Sequence, residues 1–251
     1  MASWYDRVFQ ELDETDLNQK PLLCRDTIFD FVTDCVNLLY PSRCHPKIEL
    51  TQASRKQTLD KIYQALCQIL TELGTANSED CAKDFLQTLP SVKRKLDSDA
   101  RYIAQQDPAC QSVEEVIICY PGFLGLAHYR LANILYKASV PLLPRVISEY
   151  AHQLTGIDIH PGAELDHPIY IDHGTGIVIG ETSQIGHHVR IFQGVTLGAH
   201  SVSGDMRGKK RHPTIEAHVV IYANATVLGG DTVIKEGTVI GGNSWITESN
   251  K

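Results

Sequence analysis

Aliphatic residues recur at every sixth position over the C-terminal part of this chain, between Asp158 and Trp245. A period of six fits neither an α-helix, which repeats every 3.6 residues, nor a strand, which repeats every two. It is typical of a hexapeptide β-helix, in which each six-residue unit forms one flat side of a triangular coil. The aliphatic residue of each unit is expected to point inward. The period holds within three runs: Ile159, Leu165 and Ile171; Ile179, Ile185, Ile191 and Leu197; and Ile215, Ile221, Val227, Val233 and Val239, with Trp245 in the next slot.

The predicted β-helix holds about four coils of roughly 18 residues and is interrupted once. The interruption is a polar, basic insert at residues 200–213, which includes Arg207, Lys209 and Lys210. A long loop that breaks a strict repeat is usually functional, although a solvated loop is the simpler alternative. Short coils leave an open sheet edge at each end, so we expect helices to cap the N-terminal end. The C-terminal end is expected to be uncapped, because the chain stops soon after Trp245.

Residues 1–155 are predicted to form an α-helical domain, and residues 156–251 the β-helix domain. Apolar residues in the first domain recur at three and four positions, as on the buried face of an amphipathic helix. These stripes indicate core and subunit packing rather than chemistry. The predicted features are a helix capped by Asp26 and ended by Pro41, helices around Leu59–Leu73 and Val92–Ile103, a capping box at Ser112 and Glu115, and helices over Phe123–Lys137 and Pro144–Leu154.

The composition is that of a globular protein without a broad basic surface. A formal net charge of −7 argues against general nucleic-acid binding. The N-terminus has no basic region followed by an apolar run, and no segment approaches the roughly 20 apolar residues of a membrane helix. A cytoplasmic protein is therefore expected. All seven cysteines lie between Cys24 and Cys119 without metal-ligand spacing, which favours free thiols over a disulfide scaffold.

Histidine is dense in the β-helix domain, and one use for it would be a metal site. The γ-class carbonic anhydrases build such a site between the subunits of a trimeric β-helix, from a pair of histidines five residues apart and a third histidine. No two histidines of this domain have that spacing, since His167 and His173 are six apart, as are His212 and His218. The spacing therefore predicts no metal.

The other use for histidine is acid–base catalysis, for which His173 is the best candidate. The residues that follow it, Gly174 to Gly176, allow a backbone turn that exposes the imidazole. A neutral histidine suits proton removal from an alcohol, and it needs an acceptor on its other ring nitrogen. Asp158 lies 15 residues earlier, close to one coil, and can supply that acceptor. Arg211 and His212 add a carboxylate clamp, so the set suits acyl transfer to the hydroxyl of an amino acid.

In these motifs the chain resembles the serine O-acetyltransferases of cysteine biosynthesis, over residues from about Asp107 to Trp245. The most specific segment is the run from Asp172-His173 through Gly180-Glu181-Thr182. Acyltransferases of sugars or antibiotics share the coil but lack this run. The other matching segments are Asp107-Pro108-Ala109, the helix Gly122–Arg130, Asp158-Ile159-His160-Pro161, Gln193–Gly198 and Arg211-His212-Pro213. The resemblance implies an α-helical domain followed by a left-handed parallel β-helix.

The resemblance also implies a reaction and a set of roles. Acetyl-CoA would transfer its acetyl group directly to L-serine, without a metal, and L-cysteine would compete at the serine site. His173 would be the general base and Asp158 its partner. The remaining roles would be ammonium binding by Asp107 and Asp172, carboxylate binding by Arg211 and His212, and acetyl-CoA binding near Gly198, Ala199 and Ala223. Lys209 and Lys210 match no motif and would either approach the CoA phosphates or lie in solvent.

The assembly implied by the resemblance is a trimer with acetyl-CoA between neighbouring subunits, paired into a hexamer by the helical domain. Many members insert a C-terminal tail ending in Ile into O-acetylserine sulfhydrylase, whereas this chain ends Ser249-Asn250-Lys251. A complex with that enzyme is therefore not expected. Three alternatives stay open: a related acetyltransferase of another small amino acid such as homoserine, a γ-type metalloenzyme, and a non-catalytic scaffold that binds a sulfhydrylase.

Overall fold

The computed structural model describes residues 3–14, 24–43, 51–200 and 208–249. The N-terminal part of these segments is helical, with α1 Trp4–Glu14, α2 Arg25–Leu39, α3 Gln52–Glu72, α4 Ser78–Gln106, α5 Val113–Cys119, α6 Pro121–Lys137, α7 Leu143–Thr155 and a 3₁₀ turn at Pro41–Arg43. Gly156 ends α7 in the left-handed conformation, with φ of 72°, and the first strand begins at the next residue.

Short parallel strands form three sheets after the helices. Sheet A contains β1 Ile157–Ile159, β4 Ile177–Ile179, β7 Thr196–Gly198, β10 Thr226–Leu228 and β13 Trp245–Ile246. Sheet B contains β2 Glu164–Leu165, β5 Gln184–Ile185, β8 Thr214–Ile215 and β11 Val233–Ile234. Sheet C contains β3 Ile169–Ile171, β6 Val189–Ile191, β9 Val220–Ile221 and β12 Val239–Ile240. Successive strands pass from A to B to C, so the chain winds as a triangular coil.

The turns between the sheets form three edges of this coil. The A–B edge consists of residues 160–163, 180–183, 199–213 and 229–232, of which 201–207 lie outside the described segments. The B–C edge consists of residues 166–168, 186–188, 216–219 and 235–238. The C–A edge consists of residues 172–176, 192–195, 222–225 and 241–244. Several edge positions have positive φ without being glycine, namely His173, His188, His218, Asn224 and Asn243. Histidine and asparagine are among the residues that tolerate this conformation best.

The coil interior is lined as the six-residue period predicts over the first three coils and the first strand of the fourth. Ten predicted inward residues are at most 8% exposed: Ile159, Leu165, Ile171, Ile179, Ile185, Ile191, Leu197, Ile215, Ile221 and Val227. Stacked aliphatic side chains of this kind supply the hydrophobic stabilisation of the coil.

The prediction is wrong after β10, where the inward register shifts by one residue. Ile234 pairs with the inward residue Ile215 and is fully buried, whereas Val239 is 62% and Trp245 70% exposed. An extra residue at the Gly229 turn, where φ is 101°, moves the inward position from Val233 to Ile234. A shift of one residue exchanges the two faces of a strand.

Two helix predictions are also corrected. The predicted helix around Val92–Ile103 is the second half of α4, which continues through Pro90. The apolar face extends upstream through Ala82, Phe85 and Leu89, so the packing of a long buried stripe outweighs the cost of one proline. Asp26 does not cap α2: it lies in the first turn, and Cys24 occupies the N-cap without a side-chain hydrogen bond.

The capping box at Ser112 and Glu115 is confirmed. The Ser112 Oγ accepts a hydrogen bond from the Glu115 amide at 3.1 Å, and this bond starts α5. The Glu115 carboxylate accepts from the Gln111 amide at 2.8 Å, one residue before the position that a standard capping box uses.

Helix α6 covers the N-terminal end of the coil, as expected of a cap. Two glycines on α6 make the close approach possible. A Cβ on Gly122 would lie 2.2 Å from the Ile171 carbonyl oxygen, and a Cβ on Gly125 would lie 3.2 Å from Ile157 Cδ1. The helix can therefore lie directly on the first strands of the coil.

A buried ion pair joins the helices to the first coil. The Arg130 guanidinium on α6 donates to both carboxylate oxygens of Asp99 on α4, at 2.8 and 2.9 Å. Asp99 also accepts from the Ile169 amide at 2.9 Å, and Arg130 donates to the Asp166 carbonyl at 3.0 Å. Burial raises the pKa of the Asp99 carboxyl, and the Arg130 guanidinium opposes that shift. Four hydrogen bonds thus hold two helices and a turn of the β-helix together.

The six described cysteines are free thiols, in agreement with the sequence prediction for that part of the chain. None of the helices in the described segments combines the length and the apolar character that a membrane crossing requires.

We expect Arg130→Met to lower the free energy of unfolding by about 3–5 kcal/mol, because it leaves the Asp99 carboxylate buried without its partner. The double variant Asp99→Leu/Arg130→Met should regain part of this loss, although the Ile169 amide stays unpaired. Urea denaturation measures the free energy of unfolding of the single and the double variant. Lys83→Met, which removes an exposed ion pair with Glu79, is the control and should change stability by less than about 1 kcal/mol. Equal losses in the single and double variants would contradict the prediction.

Candidate active site

His173 lies on the C–A edge directly after β3 and is the most accessible of the predicted catalytic residues. Its φ is 57°, and 69% of its side chain is exposed. The Nε2 atom lies 3.8 Å from the Asp172 carboxylate. Gly174 follows and packs against Ile157, leaving no room for a Cβ. An accessible imidazole on a rigid turn can take a proton from a bound alcohol.

Asp107 is brought to the same edge by the end of α4. Its carboxylate accepts hydrogen bonds from the Tyr120 hydroxyl at 2.6 Å and the Ala109 amide at 2.8 Å. Burial raises the pKa of the Tyr170 hydroxyl, and the negative charges of Asp172 and then Asp107 raise it further. Both carboxylates therefore lie near this hydroxyl, and together they form an acidic patch suited to an ammonium group.

Asp158 lies in the middle of β1, where it pairs with Val178 of β4. Burial lowers the pKa of His160, and the charges of Glu181 and Asp158 act in the opposite direction. Within the described residues, no hydrogen bond or ion pair joins Asp158 to His173. The pairing of these two side chains therefore stays a prediction.

His212 lies on the A–B edge and is 8% exposed. Its Nδ1 accepts a hydrogen bond from the Thr182 amide at 3.1 Å and lies 2.9 Å from the Thr182 hydroxyl oxygen. Burial, followed by the charge of Arg211, lowers the pKa of His212 to about 4, so the imidazole is neutral at pH 7. Its ring lies against the backbone of Gly180, where a Cβ would approach Nε2 to 2.1 Å.

Arg211 forms an ion pair with Glu181 on the preceding coil. The Tyr136 hydroxyl of α6 donates to the other carboxylate oxygen of Glu181 at 2.8 Å. Burial tends to raise the pKa of Glu181, but the hydrogen bonds from Arg211 and Tyr136 outweigh it and hold the pKa below its usual value. Sequence spacing does not predict that Glu181 binds Arg211 or that Tyr136 binds Glu181, because only the winding of the coil brings position 181 beside position 211.

The end of the insert is tied to the same edge. Lys210 Nζ donates to the Thr182 carbonyl at 2.7 Å and to the Pro213 carbonyl at 3.3 Å, and both Lys209 and Lys210 are exposed. Residues 201–207 of the insert lie outside the described residues. Lys210 is therefore attached to the A–B edge, and an approach of Lys209 or Lys210 to the CoA phosphates stays a prediction.

The residues predicted to bind acetyl-CoA lie on two edges. Gly198 ends β7, Ala199 follows it on the A–B edge, and Ala223 lies on the C–A edge. In the described part of the chain, the amides of Ala199 and Ala223 donate no backbone hydrogen bond. Both can therefore donate to a ligand.

One chain brings together His173, Asp172 and Asp107 but keeps them apart from Arg211 and His212. The side of the coil between the two edges runs from residue 176 to residue 180. At about 3.3 Å per residue, these four steps separate the edges by about 13 Å. A small amino acid cannot bridge that distance within one chain.

A parallel β-helix of six-residue units, capped by helices and bearing an exposed histidine among carboxylates, is typical of hexapeptide-repeat acyltransferases. The plasmid-encoded serine acetyltransferase of Synechococcus elongatus is 46% identical over 203 residues, which are 79% of this chain and 63% of the relative. The structure of native serine acetyltransferase 1 from Entamoeba histolytica is 33% identical, with a TM-score of 0.81 over 98% of this chain and 95% of that one. The chain belongs to the serine acetyltransferase family.

The comparisons confirm the predicted α-helical region followed by a left-handed parallel β-helix. The Entamoeba histolytica enzyme has also been solved in complex with L-cysteine, at 32% identity and a TM-score of 0.78 over 98% of this chain and 96% of that one. No protein-family model matches the chain. The chain spans about three fifths of the length of the first two curated relatives that it matches.

We expect Gly180→Ala to displace the His212 ring, because the added Cβ would lie 2.0 Å from Cδ2. Overpacking of this kind costs about 1–3 kcal/mol of unfolding free energy, measurable by urea denaturation. Gly241→Ala is the matched control, since its Cβ would meet only Ser244 Oγ at 3.7 Å. A Gly180→Ala variant as stable as the control would show that the ring does not rest on this glycine.

Proposed function

We propose that the protein transfers the acetyl group of acetyl-CoA to the hydroxyl of L-serine, giving O-acetyl-L-serine and CoA. The observation that carries the proposal is the grouping of His173 with Asp172 and Asp107 on one edge of a serine acetyltransferase fold. Two relatives with 25% and 27% identity have been solved with CoA and with serine, which supports both substrates.

In the proposed reaction, His173 takes the proton of the serine hydroxyl while the oxygen attacks the thioester carbonyl. The resulting tetrahedral intermediate collapses with cleavage of the carbon–sulfur bond. The CoA thiolate then recovers a proton from the His173 imidazolium. Asp158 would orient the imidazole and stabilise its charge in this step. No covalent acyl-enzyme and no metal are required.

The substrate charges would be met from two copies of the chain. Asp107 and Asp172 beside His173 would bind the ammonium group. The carboxylate would bind Arg211 and His212 of a neighbouring copy, because these residues lie on a different edge of each chain. The carboxylate would compete with Glu181 for the Arg211 guanidinium, which prefers carboxylate partners. We therefore propose a trimer in which each site lies between two subunits.

L-Cysteine is the expected inhibitor of this site. It has the same ammonium and carboxylate groups as serine, and the proposed clamps bind these groups rather than the side chain. The relative solved with L-cysteine supports this expectation. The thiol of L-cysteine would lie beside His173 in place of the serine hydroxyl, so inhibition should be competitive with serine.

Further features of the assembly stay predictions. Acetyl-CoA would lie near Gly198, Ala199 and Ala223, where two edges of neighbouring copies meet. Pairing of two trimers through the helical region would give a hexamer. We expect a cytoplasmic enzyme, for which the free thiols of the described cysteines give support.

Release of CoA from acetyl-CoA in the presence of L-serine tests the reaction and its base together. We expect His173→Gln to lower kcat by about 10²- to 10⁴-fold, as removal of a general base does. His152→Gln changes an exposed histidine on α7 and serves as the control. Turnover with L-homoserine but not L-serine would overturn the substrate. A protein inactive with every acceptor would favour the scaffold alternative.

Mixing two inactive variants tests whether the site is shared. We expect co-expressed His173→Gln and Arg211→Ala chains to regain about one quarter of wild-type activity. In trimers of randomly mixed chains, an intact His173 on the C–A edge of one chain meets an intact Arg211 on the A–B edge of its neighbour at about one interface in four. Each variant alone should stay inactive. If His173 and Arg211 act within the same chain, the mixture will be no more active than either variant alone, and the proposal of a shared site would be rejected.

A further inference from the structure

Three histidines lie together on the B–C edge, away from both parts of the proposed active site. His187 and His188 are adjacent in the turn between β5 and β6. His218 lies one coil later, in the turn between β8 and β9. One ring nitrogen from each residue lies within 4.8 Å of the other two.

The three imidazole rings pack against one another. The Nδ1 atoms of His187 and His188 are 2.9 Å apart. The rings of His188 and His218 are stacked, with centroids 4.9 Å apart and an angle of 13° between the planes. The His187 ring is perpendicular to both, at 90° and 85°. His187 therefore approaches the stacked pair from the side.

The backbone holds these rings in place. His188 and His218 occupy equivalent left-handed positions, with φ of 58° and 60°. The His218 amide donates to the His187 carbonyl at 3.0 Å, which ties the two coils together at the cluster. The Tyr102 hydroxyl of α4 donates to the His188 carbonyl at 2.9 Å, and its ring meets the His188 ring edge-on at 5.0 Å. A site on such a rigid turn needs little rearrangement to bind a ligand.

The surroundings of His188 disfavour its charged form. Burial lowers the pKa of His188, the positive charges that His218 and His187 can carry lower it further, and Asp166 acts in the opposite direction. Neutral imidazole presents a nitrogen lone pair and is the form that binds metal ions.

We propose that His187, His188 and His218 bind one divalent transition-metal ion of the zinc class per chain, with water completing the coordination. Zinc–nitrogen bonds of about 2.0–2.1 Å in a tetrahedral site place neighbouring nitrogens about 3.3 Å apart. The separations in the cluster, from 2.9 to at most 4.8 Å, span that value. Imidazole ligands suit Zn²⁺, Co²⁺, Ni²⁺ and Cu²⁺ rather than Mg²⁺ or Ca²⁺.

The ion would link the second coil to the part of the third coil that follows the insert. It would have a structural role, because the cluster and His173 lie on different edges. This proposal does not depend on the acetyltransferase activity. Zinc in the purified protein would thus not by itself favour a metalloenzyme.

The test is a Co²⁺ titration of the full-length protein after treatment with EDTA, followed by visible absorption and by competition with Zn²⁺. We expect one ion per chain and an increase in Tm on binding. His188→Asn and His218→Asn keep a residue that tolerates positive φ and should each weaken binding at least about tenfold. The control His152→Asn should bind as the wild type does.

Thermal unfolding without metal and CoA release with serine show whether each variant is folded. Binding well below one ion per chain in the wild type would overturn the proposal. So would equal affinity in the wild type and a folded His218→Asn variant. A wild-type protein that binds Co²⁺ but releases no CoA with serine would contradict the proposed reaction and still support the metal site.

Discussion

The buried ion pair between Arg130 and Asp99 holds the helical region on the β-helix. Because Arg130 also bonds the Asp166 carbonyl and Asp99 the Ile169 amide, α4 and α6 are both fastened to the first coil. The position of Asp107 follows from this attachment, since it ends α4. A charged pair buried this deeply stabilises the fold only while both partners are present, and the backbone bonds make its geometry specific.

The three edges of the coil carry different chemistry for one geometric reason. Each edge is a turn that repeats on every coil, so residues about one coil apart in sequence become neighbours. The C–A edge collects an exposed histidine and carboxylates, the A–B edge a guanidinium and a neutral histidine, and the B–C edge three imidazoles. Left-handed turn positions accept histidine, as at His173, His188 and His218, and this explains how a repeat built for stability also presents functional side chains.

The six-residue period was a reliable guide wherever the turns kept their length. It located ten buried aliphatic residues through Val227 and failed after Gly229, where one added residue moved the inward position to Ile234. The local signals for helix ends were equally uneven. Ser112 caps α5 as predicted, whereas Pro90 lies inside α4 because the packed face on both sides outweighs the local preference of one residue.

The amino-acid sequence by itself determined the repeat, the helical cap and the residue types available at His173, Asp107 and Arg211, because these depend on periodicity and local motifs. Tertiary structure alone decided which of them meet. Glu181 pairs with Arg211, and His218 joins His188, because one coil plus the insert separates each pair by 30 residues. The insert changes that separation without changing the coil. Sequence spacing therefore cannot reveal such contacts, because it is the winding of the backbone that places the side chains together.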